Sequence, residues 1–323
     1  MGFLATDARD QIFGILALVK SDWGDSEPAS YNDSVQEVYK KVTEMSLREE
    51  HRFSLLYLAG ITHTRAVLDL PSWVPDFSHD ININPFGLPS ANSKLQYQAG
   101  GMTTSDVFKD LRFTENFLVL KGIIVDKIST YTRVRVAARQ ESYDEQHTNW
   151  WGWATEAYQL AKSCQKIDRF WKAIIAGIDH PSKEMAPSYY EQYFYRFKQI
   201  YINNTNHQNM DWKQAHALVS KDKGIDDDIK NAANSYLFAF VDASIGRRFC
   251  ITSSGRFMLI PEASMTGDLV CIVQGAPAPL VLREADCVNK EQRTFILVGD
   301  CYIDGYMEGQ GMMCQKFEDI FIS

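Results

Sequence analysis

The chain has 323 residues, 45% hydrophobic and 23% charged, the balance of a globular protein able to bury a large core. A formal net charge of −8 argues against a nucleic-acid partner, which would want a basic face, and against anionic membranes. No apolar run reaches the roughly 18 residues that span a bilayer, and the N-terminus lacks the basic n-region of a secretory signal.

In chain order, Asp7 to Lys20 reads as a helix, with Thr6 or Asp7 as cap and Ile12, Phe13, Leu16 and Val19 at helical spacing. A turn-rich stretch to Asn32 precedes a second helix through Val35, Val38, Tyr39 and Val42. A third runs from about Glu49 to Gly60. Then comes Leu70-Pro71-Ser72-Trp73-Val74-Pro75-Asp76. Two prolines in five residues forbid a helix interior, so the segment is an extended corner with an aromatic plug. His79 to Asp106 follows as a polar connection too long for an ordinary loop, the length of a lid, a binding loop or a disordered insert.

Phe117 to Lys121 reads as a strand, continued by Ile123, Ile124 and Val125. The middle is helical and aromatic-rich: Trp150–Lys166, Asp168–Gly177, Tyr189–Asn203, Trp212–Ser220 and Ile225–Asp242. From Phe249 the pattern changes to short strands with turn signals, among them Ser253-Ser254-Gly255 and Gly267-Asp268. This predicts an α+β protein, a helical bundle packed with a C-terminal β-rich small barrel or curled antiparallel sheet. The chain reads as one compact unit, 1–323. It divides into N-terminal helices with the Trp corner (1–78), a long polar loop and strand (79–130), an aromatic-rich helical region (131–245) and a β-rich module (246–323).

Cys164, Cys250, Cys271, Cys287, Cys301 and Cys314 form no C-x-x-C pair and lie near no His at ligand spacing. They read as buried small hydrophobes of a cytoplasmic protein. The seven histidines are scattered and form no triad or metal pattern. Asp226-Asp227-Asp228 reads as a solvated face. Arg247-Arg248, after a Gly and beside a strand, offers two guanidiniums for a carboxylate or carbonyl, or one internal pair and one solvated side chain. Asp300, Tyr302 and Asp304 alternate along a strand and would share a face, lining a pocket or lying outside a barrel.

Several runs together carry a resemblance: Thr6-Asp7-Ala8-Arg9-Asp10, Ser30-Tyr31 with Val35-x-x-Val38-Tyr39, the Trp73 corner, and Tyr97-Gln98-Ala99-Gly100-Gly101. They continue with Leu120-x-Gly122-x-x-Val125-Asp126-x-Ile128, Gly246-Arg247-Arg248-Phe249, Gly267-Asp268-Leu269-Val270, and Val298-Gly299-Asp300-Cys301-Tyr302-Ile303-Asp304-Gly305-Tyr306-Met307. In these the chain resembles the region that follows the signature domain in fungal heterokaryon-incompatibility (HET-domain) proteins. Ala8 stands where that family has proline, and Ser30 where it has aspartate. The signature domain itself is not in the sequence, so activities attached to it do not carry over.

The resemblance implies two readings. In the first, the chain is a cofactor-independent cyclase or isomerase, a Diels–Alderase-like pericyclase acting on a small apolar natural-product intermediate such as a terpenoid. That chemistry needs no nucleophile, metal or redox group, only a shaped apolar pocket and a donor on an activating carbonyl. Arg247, Tyr302 and Arg9 are the candidate catalytic donors. Trp73, Trp151, Tyr306 and Arg248 are the candidate substrate-binding residues. No cofactor and no metal are expected. In the second reading the chain is a non-catalytic regulatory or interaction module with a protein partner.

Overall fold

A computed structural model describes residues 7–18, 30–48, 53–63, 65–67, 69–78, 84–89, 97–102, 105–114, 117–135, 149–164, 167–208, 210–285, 292–313 and 316–323. Among them are eight α-helices: α1 (Asp10–Leu18), α2 (Val35–Arg48), α3 (Ser54–Leu58), α4 (Asn149–Lys162), α5 (Phe170–Ala173), α6 (Tyr190–Phe197), α7 (Trp212–Lys221) and α8 (Asp227–Ser244). Nine strands form one mixed sheet: β1 (Arg112–Phe113), β2 (Leu118–Tyr131), β3 (Arg247–Thr252), β4 (Phe257–Pro261), β5 (Leu269–Val273), β6 (Leu280–Glu284), β7 (Thr294–Asp300), β8 (Tyr302–Ile303) and β9 (Glu318–Ile322). The chain is therefore α+β, with a curled sheet.

The sheet curls because β2 is long enough to serve three partners. Its first residues, 118–122, pair with β9; residues 122–127 pair with β5; residues 128–131 pair with β3. Register shifts near Ile124 and Ile128 bend the strand between partners, as bulges do. The succession β2–β5–β6–β7–β9 then returns to β2, so five strands close a ring without an open edge. β3, β4 and β8 extend the sheet outward from β2. All pairings are antiparallel except β7–β9, which is parallel. From the residue pattern the strand continues to Val125, and the family-like run reaches Ile128; the structure carries β2 to Tyr131 and adds β9, which the pattern does not predict.

Gly122 sits where β2 passes from β9 to β5. A Cβ there would lie 2.8 Å from Cys271 Sγ and 2.9 Å from Ile320 Cγ1, so any side chain would collide with the closed interior.

The Trp73 corner docks on the barrel and is tied from within. Arg65 donates to the carbonyls of Leu70 (2.7 Å), Pro71 (2.9 Å) and Val74 (2.7 Å), and the Pro71 oxygen also takes a turn bond from the Val74 N–H (3.0 Å). Asp76 accepts from the amides of Ala66 and Val67. Trp73 is fully buried, tilted against Phe113 at 5.7 Å. Its indole N–H meets no acceptor among the described residues.

The helices cover one side of the sheet through aromatic rings. Phe170 touches Phe249 of β3 (5.3 Å), Phe257 of β4 (6.4 Å) and Phe194 of α6 (5.8 Å). Phe197, Tyr236 and Phe240 pack α6 on α8, with Trp150 and Trp153 of α4 behind Phe240. The helix read over Asp168–Gly177 is only a short turn and α5, and Tyr189–Asn203 is α6 followed by a π turn, Lys198–Ile202.

The acidic run at 226–228 is a helix start, not merely a solvated face. Asp226 accepts from the amides of Asp228 and Ile229 and caps α8. At the other end, Arg135 donates to the Val241 carbonyl (2.8 Å) and to Ser244 Oγ (2.5 Å). A cation there suits the negative end of the helix dipole, although full burial pulls this guanidinium down to about 9. No described helix is long and apolar enough to cross a membrane.

Candidate functional site

A short strap, residues 84–89, crosses the end of the barrel beneath α8. Pro85 and Pro89 bracket it, with a turn at Phe86–Gly87 and a bend at Leu88 between them. Gly87 permits a close approach, since a Cβ there would lie 2.2 Å from the Tyr57 ring. Tyr57 is itself fixed, donating to the Ala278 carbonyl at 3.0 Å and accepting from the Ala278 amide at 3.1 Å. Residues 97–101 run beside the strap and are stitched to the barrel by Gln98 N–H to Met307 O (2.9 Å) and Ala99 N–H to Pro277 O (2.9 Å).

Between the strap, the turn after α5 and the C-terminal end of α8 lies a cavity of about 330 Å³. That volume is at the lower end of the ~300–1,000 Å³ typical of ligand pockets. Its walls are mainly apolar, with Phe86 and Leu88 from the strap, Ile175 and Ile178 from the turn, and Ala239 and Ala243 from α8. Tyr97 contributes a ring, and its hydroxyl is committed to the Ala176 carbonyl at 2.6 Å. Polar side chains gather at Asp179, Lys183 and Asp242.

Behind the strap is a buried ion pair. Arg247 donates to Asp300 Oδ1 at 2.7 Å, to the Asp300 carbonyl at 2.9 Å and to the Asn84 carbonyl at 3.1 Å. Asp300 also accepts from the backbone N–H of Phe86. The guanidinium lies over the Phe86 ring at 3.8 Å. Phe86 in turn meets Tyr97 (6.2 Å) and Tyr302 (6.3 Å), which meet each other at 6.1 Å. The pair thus pins both the backbone and the ring of the strap to the barrel.

Burial pushes the Tyr97 and Tyr302 phenols far up, because a phenolate in this apolar setting would lose its hydration. Both stay protonated at neutral pH and cannot act as bases. His63, near the same pair, is held below the ordinary imidazole value chiefly by burial. Asp300 opposes that shift, and Arg247 and Arg65 add to it. Its Nε2 is buried and without a partner among the described residues.

Of the seven residues singled out from sequence, Arg247 and Tyr302 stand together behind the strap, one shell away from the cavity. None of the seven is among its lining residues. Arg9 lies at the N-terminal helices, where it pairs with Asp7 at 2.6 Å and donates to the carbonyls of Tyr31 (2.7 Å) and Asp33 (2.8 Å). Trp73 is the buried plug of its corner. Trp151 is half-buried on α4, with an indole N–H that meets no acceptor among the described residues. Arg248 donates to Glu262 O (2.8 Å) and Thr132 O (3.2 Å). Tyr306 carries Arg256 over its ring at 4.1 Å. Asp304 forms a two-point pair with Arg169 at 2.9 Å.

Phe86, Tyr97 as a wall, Lys183 and Asp242 are not marked by sequence pattern as parts of one cavity. The strap had a usable signal: Pro85-Phe86-Gly87-Leu88-Pro89 is an aromatic between prolines, the same pattern that drew attention to Trp73. Among the described residues no group of three or more His, Cys, Asp or Glu could hold a metal ion. Cys164, Cys250, Cys271 and Cys301 are free thiols, and burial pushes the last three up, away from thiolate chemistry.

A five-stranded ring flanked by helices defines a barrel protein, with a cavity between the strap, the turn after α5 and α8. Residues 156–323 match the Het-6 beta-barrel domain, just over half of the chain, and the chain belongs to that family, a C-terminal region of HET-family proteins. No curated protein and no solved structure matches the chain significantly. The matched span begins after β2, so two seams of the ring, β2–β5 and β2–β9, depend on a strand outside it.

Proposed function

We propose that this chain binds a small, mainly apolar organic molecule in the cavity under the strap. The observation that carries the reading is the cavity itself: apolar walls from three elements, a few polar groups on one side, and a wall held rigid by a buried ion pair. The chemistry such a site supports is cofactor-independent cyclisation or isomerisation of a natural-product intermediate, terpenoid in the narrowest form of the reading. A flexible chain is confined to one reactive conformer, and one donor polarises a carbonyl. The donors of Arg247 and Arg9 described above are directed at protein oxygens, so in this reading they position the site and the donor comes from its polar side. The free, buried thiols of Cys250, Cys271 and Cys301 fit a reducing, cytoplasmic setting.

A second reading, a non-catalytic recognition module, draws on Tyr189 and Tyr195 at α6, which are 52% and 56% exposed. Exposed tyrosines of this kind serve protein contacts. Native mass spectrometry of the protein incubated with terpenoid and polyketide fractions separates the two. A bound species released as an isomer of unchanged mass supports catalysis. Retention without conversion supports binding alone. No retention from any fraction moves the weight to the interaction module.

A further inference from the structure

Lys183 stands apart among the cavity's residues. It is the one cation among the described lining residues, carried on the turn that leads from Ile178 to Met185. Its backbone has φ 59°, the left-handed region that favours glycine or asparagine. A long charged side chain is therefore held where local conformation argues against it, the kind of outlier that accompanies function. The turn is braced from inside: Asp179 Oδ1 accepts from Ser182 Oγ and from the Glu184 amide, and the Asp179 amide donates to the Glu184 carbonyl. Asp179 is thus engaged locally. From this rigid base Lys183 reaches across to Asp242 of α8 and pairs with it.

That pair is soft. Its side chains are 35% and 43% exposed, and ion pairs so open to water gain little net free energy. Asp242 is 43% exposed, so water hydrates its carboxylate if Lys183 turns away. An incoming oxygen anion can therefore replace the Asp242 carboxylate on the ammonium without stranding a charge. An incoming cation would meet Lys183 at the same place.

We propose that Lys183 is the specificity-determining residue of this cavity, and that the ligand is an apolar molecule bearing a carboxylate, gripped by the Lys183 ammonium with its hydrocarbon part against Phe86, Leu88 and Ile178. This rests on the binding reading above. Asp242 acts as the internal competitor, occupying the ammonium until a ligand carboxylate displaces it.

The test uses the intact protein and three probes of equal chain length, decanoate, decanol and decylamine, titrated by calorimetry below their micelle-forming concentrations. Decanoate is expected to bind about two- to fivefold tighter than decanol, the range of a partly exposed ion pair, and decylamine weakest. Lys183→Met should abolish the preference for decanoate over decanol. Asp242→Asn should raise decanoate affinity several-fold, by freeing the ammonium. A residue that merely holds the turn would lower affinity in both variants. Decylamine binding as well as decanoate, or an unchanged preference in Lys183→Met, overturns the proposal. If decanol and decanoate bind equally and both are lost in Ala239→Trp, which fills the cavity, the specificity claim fails and the binding reading stands. If none of the three binds, both fail.

Discussion

Arg247 and Asp300 face each other at 2.7 Å inside the protein, with side chains 1% and 0% exposed, and between them they hold the strap by Asn84 O, Phe86 N–H and the Phe86 ring. Removing one partner leaves the other charge buried and unpaired, which costs about 3–5 kcal/mol in comparable cases. Arg247→Met is therefore expected to lower stability by that amount in urea unfolding. The double variant Arg247→Met, Asp300→Leu should recover part of the loss, since two neutral groups need no pairing. Recovery stays incomplete because the strap loses its Phe86 and Asn84 contacts.

Trp73 separates packing from hydrogen bonding. Its indole N–H is buried without an acceptor among the described residues, so the nitrogen adds nothing. Trp73→Phe trades a smaller ring for removal of an unsatisfied donor and should change stability by less than about 1.5 kcal/mol. Trp73→Ala leaves a cavity and should cost about 3–5 kcal/mol. Denaturant midpoints at constant slope would check both.

Closure of the ring predicts sensitivity at one glycine. Gly122→Ala forces a methyl against Cys271 and Ile320 and is expected to cost about 1–3 kcal/mol. A truncated chain restricted to residues 156–323 lacks β2 and hence both of its seams. It should show no cooperative thermal transition, whereas a chain beginning ahead of β2 and retaining it should.

His63 gives the pH dependence a sign. Burial lowers its folded-state value below that of the unfolded chain, so the unfolded state binds the proton more readily. The stability tied to His63 is complete above the unfolded value, about 6.5. It is lost progressively as pH falls from there through the lowered folded value. Melting temperature should fall between pH 7 and pH 5 in the wild type, and less steeply in His63→Phe. His180 shifts in the same direction, so the variant flattens the profile without levelling it.

The fold was legible where periodicity and turn signals were strong. α2, α7 and α8 follow helical spacing, and β3 to β7 follow the Ser253-Ser254-Gly255 and Gly267-Asp268 turns. β9 was not legible, because Glu318 to Ile322 becomes a strand only by lying between β2 and β7. The helix read over Asp168–Gly177 stopped at Ala173 because Ala176 and Gly177 take positive φ, which ends the helix. For the site, Arg247 and Tyr302, which sequence singles out, stand behind the strap, and Arg248 donates to Glu262 O and Thr132 O, away from the cavity lining. These residues did not reveal which groups line the cavity. That depends on a strap and a turn some hundred residues apart in sequence, and pairings such as Lys183 with Asp242 exist only in three dimensions.

The most direct measurement of the central claim is a methyl-detected NMR titration of the intact protein with decanoate, with leucine and isoleucine methyls labelled. The account predicts that Leu88, Ile175 and Ile178 shift together with one dissociation constant, while Leu218 and Ile225, which line a separate groove beside α7, do not move. Shifts at Leu218 and Ile225 without any at Leu88, Ile175 or Ile178, or none at all, would contradict it.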